Sequence, residues 1–266
     1  MTVAAPERAA SSVDPREIEK FSRMAAEWWD PFGKFRPLHK FNPARLAFIR
    51  DAILSRYARD PDAVRPLEGL RLLDVGCGGG LVAEPMARLG AAVVGIDAAE
   101  RNIAAARLHA EQGGLAIDYR CATVEALVAA GEPPFDVVLN LEVVEHVAEP
   151  EAFIAASASL LKPEGLMVVA TINRTLRAFA LAKIGAEYVL GWLPRGTHDP
   201  RKFVPDAALK AWLERAGMTV TGFAGVSFNP LEDRWRVTRD LGVNYMATST
   251  RSATPAATTA ASGRHG

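Results

Sequence analysis

Leu72-Leu73-Asp74-Val75-Gly76-Cys77-Gly78-Gly79-Gly80 carries an apolar strand straight into a loop with four glycines in five positions. The segment from Leu81 to Leu89 then reads as a helix, with Pro85 as an unexplained interruption. A plain strand-to-helix turn would not need so many glycines, because each costs backbone entropy on folding. Glycines there let backbone and the helix-start amides come close to a ligand.

Outward from this loop, short β-type runs alternate with helical segments. The runs are Leu70–Val75, Ala92–Ile96, Ala116–Arg120, Phe135–Leu141 and Leu166–Thr171. That alternation predicts a parallel, doubly wound α/β sheet. Two more runs, Thr219–Ala224 and Val243–Thr248, follow a helix from about Pro205 to Ala216 and read as an antiparallel pair closing the sheet edge, for seven strands in all. Upstream, Asp14-Pro15 and Asn42-Pro43 each look like an N-cap followed by proline at the first helical position. They predict one amphipathic helix ending near Asp30-Pro31 and a second whose buried stripe is Leu46, Ile49, Ile53 and Tyr57.

The chain has 266 residues, 49% apolar and 23% charged, which suits one α/β domain with appendages. The expected domain runs from 14 to 251, with an insertion at 173–204 and disordered ends at 1–13 and 252–266. Lysine plus arginine and aspartate plus glutamate both number 31. No global positive field exists to hold a phosphate backbone, so nucleic acid is not an expected partner. Cys77 and Cys121 are the only cysteines, too few for a disulfide framework. With no apolar run of spanning length and no h-region near the N-terminus, a cytoplasmic location is expected.

The glycine pattern discriminates among cofactors. A dinucleotide fingerprint G-x-G-x-x-G counted from Gly76 needs a glycine where Leu81 stands. The pattern present is D-x-G-x-G-x-G, led by Asp74. An acid at the mouth of the loop repels a pyrophosphate but suits the ammonium and sulfonium of S-adenosylmethionine. Asp97, 23 residues after Asp74 at the end of a strand, is placed to accept hydrogen bonds from two ribose hydroxyls, or to cap the helix that follows. A nicotinamide dehydrogenase and a noncatalytic cofactor-binding module are the competing readings.

The motifs LDVGCGGG, GID, FDVVLNLEVVEHV and LKPEG fall in the order of class I S-adenosylmethionine-dependent methyltransferases, whose Rossmann-like fold the chain resembles. The flanking text is more specific. EWWDPFGKFRPLHKFNPARL before the loop, with TINRT, GAEYVLGWLPRGTHD and VNYM after it, is similar to the ubiquinone-biosynthesis O-methyltransferases from about Ile18 to Met246. That resemblance implies methylation of catechol-type hydroxyls on polyprenylated intermediates, at a polyprenyl-benzenediol stage and at the 3-demethylubiquinol stage. Another small phenolic acceptor is the alternative. It also implies cofactor contacts at Arg45, Gly76, Asp97 and Leu141, to which Asp74 and Gly78 of the loop are added. Arg45 supplies a fork for a carboxylate. Many methyltransferases place an acid after the third strand for adenine, but here the loop reads Cys121-Ala122-Thr123-Val124, leaving that contact to backbone or to Glu125.

A phenol has a pKa of about 10, so its deprotonation needs a base or a metal. Glu142, Glu145 and His146 would share one face at i, i+3 and i+4 if a helical turn begins at 142. Two carboxylates suit Mg²⁺, which the resemblance also implies, and His146 could join them or act as general base. His198 in Gly196-Thr197-His198-Asp199 is a second candidate base; His39 and His109 read as packed or solvated, and Cys77 as no nucleophile. From Arg174 to Lys202 six basic residues face two acidic ones, a local charge of +4, beside an apolar stripe at helical spacing. Such a stripe suits a helix packed on the core or an insertion that rests on anionic membrane; the membrane reading is the expectation, with peripheral attachment at the inner membrane and a ubiquinone-biosynthesis complex as further expectations.

Overall fold

The computed structural model describes residues 27–33, 35–173, 202–229 and 232–253. The helix expected from Asp14-Pro15 to near Asp30-Pro31 therefore falls mostly outside the described residues, as do His198, Arg174–Arg201 and nearly all of both terminal stretches. Among the described residues no helix is long and apolar enough to cross a membrane.

Eight strands form one mixed sheet: β1 (Arg71–Val75), β2 (Ala92–Asp97), β3 (Asp118–Cys121), β4 (Phe135–Leu141), β5 (Leu161–Ile172), β6 (Met218–Asn229), β7 (Arg234–Thr238) and β8 (Asn244–Arg251). Their order is β3-β2-β1-β4-β5-β8-β6-β7. Strands β1 to β5 pair in parallel, while β8 pairs antiparallel with both β5 and β6. The expected antiparallel pair exists, but β8 lies inside the sheet and the edge belongs to β7. That eighth strand has the sequence RWRVT and is half exposed, so it offers no buried apolar run. Trp235 is what anchors it, with its ring 5.4 Å from Phe41 and 5.5 Å from Phe228.

Six helices complete the described fold: α1 (Arg36–Arg56), α2 (Ala83–Arg88), α3 (Glu100–Gln112), α4 (Val124–Ala129), α5 (Pro150–Ser159) and α6 (Asp206–Arg215). Consecutive strand residues point to opposite faces, and the two cores follow that rule. Leu72 packs with Ile49, Ile53, Met86 and Ile103 of α1, α2 and α3. Its neighbour Leu73 packs with Leu127, Ile154 and Leu209 of α4, α5 and α6. The side chain of Asp74 shares the Leu72 face, which turns it toward α1. The chain leaves β1 for β2 and β3 on one side, then returns to β4 on the other, and this reversal opens a crevice at the carboxyl ends of β1 and β4.

One sequence expectation is corrected in α1. Asn42-Pro43 does not start a helix; α1 begins six residues earlier, with a proline in its first turn, and Pro43 lies inside it. Asn42 is instead buried and donates through Nδ2 to the Leu81 carbonyl at 2.8 Å. That carbonyl is the one Pro85, four residues on and without an N–H, cannot serve. Neighbouring i to i−4 bonds are intact, from Glu84 to Gly80 at 3.1 Å and from Met86 to Val82 at 3.2 Å. Pro85 thus sits in the first turn of α2 without needing to kink it.

Candidate active site

The glycine loop is held open by backbone conformation: Gly76, Gly78 and Gly80 all have positive φ, at 66°, 53° and 90°. What lies against these glycines is protein. A Cβ on Gly78 would come within 2.5 Å of Trp28, one on Gly79 would strike the same ring, and one on Gly76 would strike Val143. Tyr119 closes in on Gly80 in the same way. The loop is therefore a packed shelf with Trp28 along it. Trp28 stacks on Phe35 at 4.0 Å and donates its indole N–H to Asn102 Oδ1 at 2.9 Å. Trp29 donates to the Gly79 carbonyl at 2.9 Å and stacks on His109 at 3.5 Å, whose Nδ1 lies 2.6 Å from the buried Glu84. His39 Nε2 lies 2.9 Å from the Trp28 carbonyl. Both histidines are packed, as the sequence suggested.

Asp97 ends β2 and accepts three hydrogen bonds: from Gly78 N–H at 3.1 Å, Ala99 N–H at 2.8 Å and Asn102 Nδ2 at 3.2 Å. The N-cap of α3 is Ala99, so Asp97 steadies the helix start from two residues before it while its carboxylate reaches the loop. Burial raises its pKa, and these three donors oppose that rise. Asp74 is buried, its Oδ2 lacks a hydrogen-bond partner among the described residues, and burial pushes its carboxyl up to about 7. Asp97 and Glu142 add to the rise, while Arg45 and the Ala83 N–H hold it down. Burial drives the Cys77 thiol well above its ordinary value, with both aspartates adding, so it stays protonated and is no nucleophile.

Arg45 is buried beneath this cluster. Nε and Nη2 donate to Asn42 Oδ1 at 3.2 and 2.8 Å, and Nη1 is ion-paired with Glu142. Leu141, the last residue of β4, is buried with the cluster under α1. Glu142 follows with φ 53°, and only then does a 3-10 turn cover Val144–His146. This corrects the expected metal face. Residues 142, 145 and 146 do not share a helical turn, because left-handed backbone at 142 separates the first carboxylate from the turn carrying the others. Glu142 is ion-paired with Arg45, and Glu145 is buried and accepts from Thr171 Oγ1 at 2.9 Å. No group of three or more His, Cys, Asp or Glu among the described residues is arranged to hold a metal ion. These side chains as placed do not fit the expected magnesium site. Burial raises the Glu145 carboxyl; the neighbouring His146 opposes that rise, Glu142 adds to it, and the Thr171 hydroxyl opposes it.

The arrangement does fit a cationic amino-acid nucleoside. Two carboxylate oxygens without donors among the described residues, Asp74 Oδ2 in β1 and Glu125 Oε2 after β3, are buried, and an ammonium and an adenine amino group are groups that bring donors.

Comparison with known proteins agrees with this chemistry. The family described as "Methyltransferase domain" matches residues 38–222. A ubiquinone biosynthesis O-methyltransferase of Parvibaculum lavamentivorans is 59% identical over 251 residues, 94% of this chain and 99% of its own length. The chain belongs to the ubiquinone biosynthesis O-methyltransferases. A second relative of that name, from Brucella anthropi, is 59% identical over 93% of this chain. Among solved structures, the magnesium protoporphyrin IX methyltransferase of Synechocystis with bound S-adenosylhomocysteine aligns at TM-score 0.60 and 20% identity, covering 88% of this chain and 94% of its own. A Thermotoga maritima protein described as a possible histamine N-methyltransferase aligns at 0.58, also at 20% identity. These two share the fold. The chain is an S-adenosylmethionine-dependent O-methyltransferase, and the dehydrogenase and noncatalytic readings fall away.

Three positions escaped the sequence reading. Trp28 and Asn102 bridge 74 residues to support Asp97, and Asn42 bridges 39 to reach Leu81. Only the Asn42-to-Arg45 spacing of three, one helical turn, was a local signal.

Proposed function

We propose that this chain methylates catechol-type hydroxyls of polyprenylated ubiquinone precursors, at the 3-demethylubiquinol stage and at the polyprenyl-benzenediol stage. The observation that carries the reading is the 59% identity to relatives named ubiquinone biosynthesis O-methyltransferase, and the crevice at the carboxyl ends of β1, β2 and β4, where Asp74, Asp97 and Arg45 adjoin Glu142 and the Glu145-His146 turn, supports it. In the binding half, Asp97 takes the ribose hydroxyls, Asp74 the ammonium, Arg45 Nη1 the carboxylate and Glu125 the adenine amino group. Gly76 and Gly78 keep the loop low enough for ligand contact, and Leu141 floors the crevice.

S-adenosylmethionine supplies a sulfonium methyl, which the acceptor oxygen takes in line as the carbon–sulfur bond breaks. His146 accepts the phenolic proton, and Glu145 behind it balances the imidazolium that forms. Such a positioned base contributes typically 10²–10⁴-fold.

The basic, apolar segment from Arg174 to Lys202 is proposed to rest on anionic membrane, so that the prenyl tail stays in lipid while the ring enters the site. Peripheral attachment and a complex with other enzymes of the pathway belong to the same reading. The test is methylation of three acceptors, a prenylated catechol, its unprenylated parent and its mono-O-methyl ether, each followed by mass spectrometry. The expected order is prenylated above unprenylated, with the ether carrying no free diol last. Equal rates on all three would defeat the assignment of acceptor.

A further inference from the structure

Arg45 has two edges doing different work. Nε and Nη2 both rest on Asn42 Oδ1, and Asn42 is itself pinned to the Leu81 carbonyl through Nδ2. Turning that edge toward a ligand would break both of its hydrogen bonds inside the core and leave Asn42 Oδ1 without a donor. The arm that faces the crevice is Nη1, and it carries Glu142. Glu142 in turn is aimed by the backbone: its φ of 53° follows the end of β4, and its N–H donates to the Ala170 carbonyl at 2.9 Å. The Arg45 side chain is 6% exposed and that of Glu142 28%, so the pair spans the boundary between the buried cofactor half and the open acceptor half.

A ligand carboxylate that reaches Arg45 through Nη1 meets Glu142 at the same nitrogen. Both cannot stay close, because two carboxylates would then share one arm with Asp74 a third acid nearby. Glu142 is the partner able to leave, since its side chain already borders solvent.

We infer that Glu142 is a switch between the two halves of the site. It holds Arg45 while the cofactor site is empty, the methionine carboxylate displaces it, and the released carboxylate swings toward the acceptor, where it positions a catechol hydroxyl for His146. Glu142 is thus a positioning residue, and acceptor binding depends on the cofactor's carboxylate. The inference rests on the reading that Arg45 receives that carboxylate.

The experiment is calorimetric titration of the full chain with S-adenosylhomocysteine and with 5′-methylthioadenosine, which lacks the amino-acid end. Glu142→Gln removes the competing charge, so it is expected to bind S-adenosylhomocysteine about tenfold more tightly than wild type, with 5′-methylthioadenosine unchanged. A pair that merely steadied Arg45 would give weaker binding. In wild type, a catechol bearing one prenyl unit should bind several-fold more tightly to the S-adenosylhomocysteine complex than to the 5′-methylthioadenosine complex, a difference lost in Glu142→Gln.

Arg45→Gln separates the two claims. If it keeps the wild-type preference for S-adenosylhomocysteine over 5′-methylthioadenosine, Arg45 is not the carboxylate's partner, and the underlying reading falls with the switch. If it loses that preference while Glu142→Gln gains no affinity, the switch alone is overturned. Should Arg45→Gln fail to fold, equal catechol affinity in the two wild-type complexes still overturns the switch.

Discussion

Asn102 donates its side-chain amide to Asp97 Oδ1 at 3.2 Å, and the oxygen of the same amide takes the Trp28 indole N–H at 2.9 Å. One buried residue therefore orients the acid at the end of β2 and fixes the ring lying along the glycine loop.

Asn102→Ala should weaken both. Each lost hydrogen bond is worth about 0.5–1.5 kcal/mol, rising toward 3 kcal/mol where the acceptor is charged. Cofactor affinity is expected to fall about tenfold, and melting should drop by a few degrees. Calorimetric titration with S-adenosylhomocysteine checks this, and an unchanged affinity in a folded variant would remove Asn102 from the site.

The pairing of Asn42 with Pro85 gives a double-mutant cycle. Asn42→Ala strips the Leu81 carbonyl of its donor and loosens Arg45, at a cost of about 1–3 kcal/mol. Pro85→Ala on its own restores a backbone N–H that can reach Leu81. Combined, the two should cost less than Asn42→Ala alone, because the new N–H replaces the lost amide. Denaturant unfolding measures the coupling; strictly additive effects would mean Asn42 does not substitute for the missing N–H.

Asp74 links stability and binding to pH. Its ordinary carboxyl value of 3.8 is raised to about 7 by burial. Between those values the native state holds a proton that the unfolded chain has released, so this group's contribution is fully present below about pH 4 and is lost as pH rises to about 7. Asp74→Asn should abolish that slope, so the stability of wild type relative to the variant falls across the window. An incoming ammonium favours the ionised carboxylate, so S-adenosylhomocysteine should bind wild type more tightly as pH rises through 7, with proton release. Titrations in buffers of different ionisation enthalpy read that proton directly; an unchanged proton count in Asp74→Asn would assign the release elsewhere.

The strands that build the crevice were legible because they are buried apolar runs. The loop was legible because glycines at 76, 78 and 80 meet a backbone requirement visible in the letters. Its immediate neighbours were not: the glycines suggested close approach by a ligand, and part of that closeness belongs to Trp28, Val143 and Tyr119. Asn42-Pro43 imitated a helix start because local signals cannot register that Asn42 is occupied by a carbonyl 39 residues away. β7 stayed hidden because its arginines flank one packing residue, Trp235, which meets rings from α1 and β6, while Val237 is exposed. The spacing of Glu142, Glu145 and His146 suggested a shared face, and one left-handed residue dissolved it. His198 and the basic segment lie outside the described residues.

Separating the cofactor half from the acceptor half tests the site most directly. O-methylation of a short-chain prenylated catechol is followed over S-adenosylmethionine concentrations up to saturation in wild type, Asp97→Ala and His146→Gln, alongside S-adenosylhomocysteine affinity. Asp97→Ala should raise the KM for S-adenosylmethionine about tenfold or more with a smaller change in kcat, since it removes ground-state contacts. His146→Gln should keep S-adenosylhomocysteine affinity within about twofold and lose about 10²-fold or more in kcat, the share of a positioned base. Wild-type turnover by His146→Gln, or wild-type cofactor affinity in a folded Asp97→Ala, would contradict this division of the site.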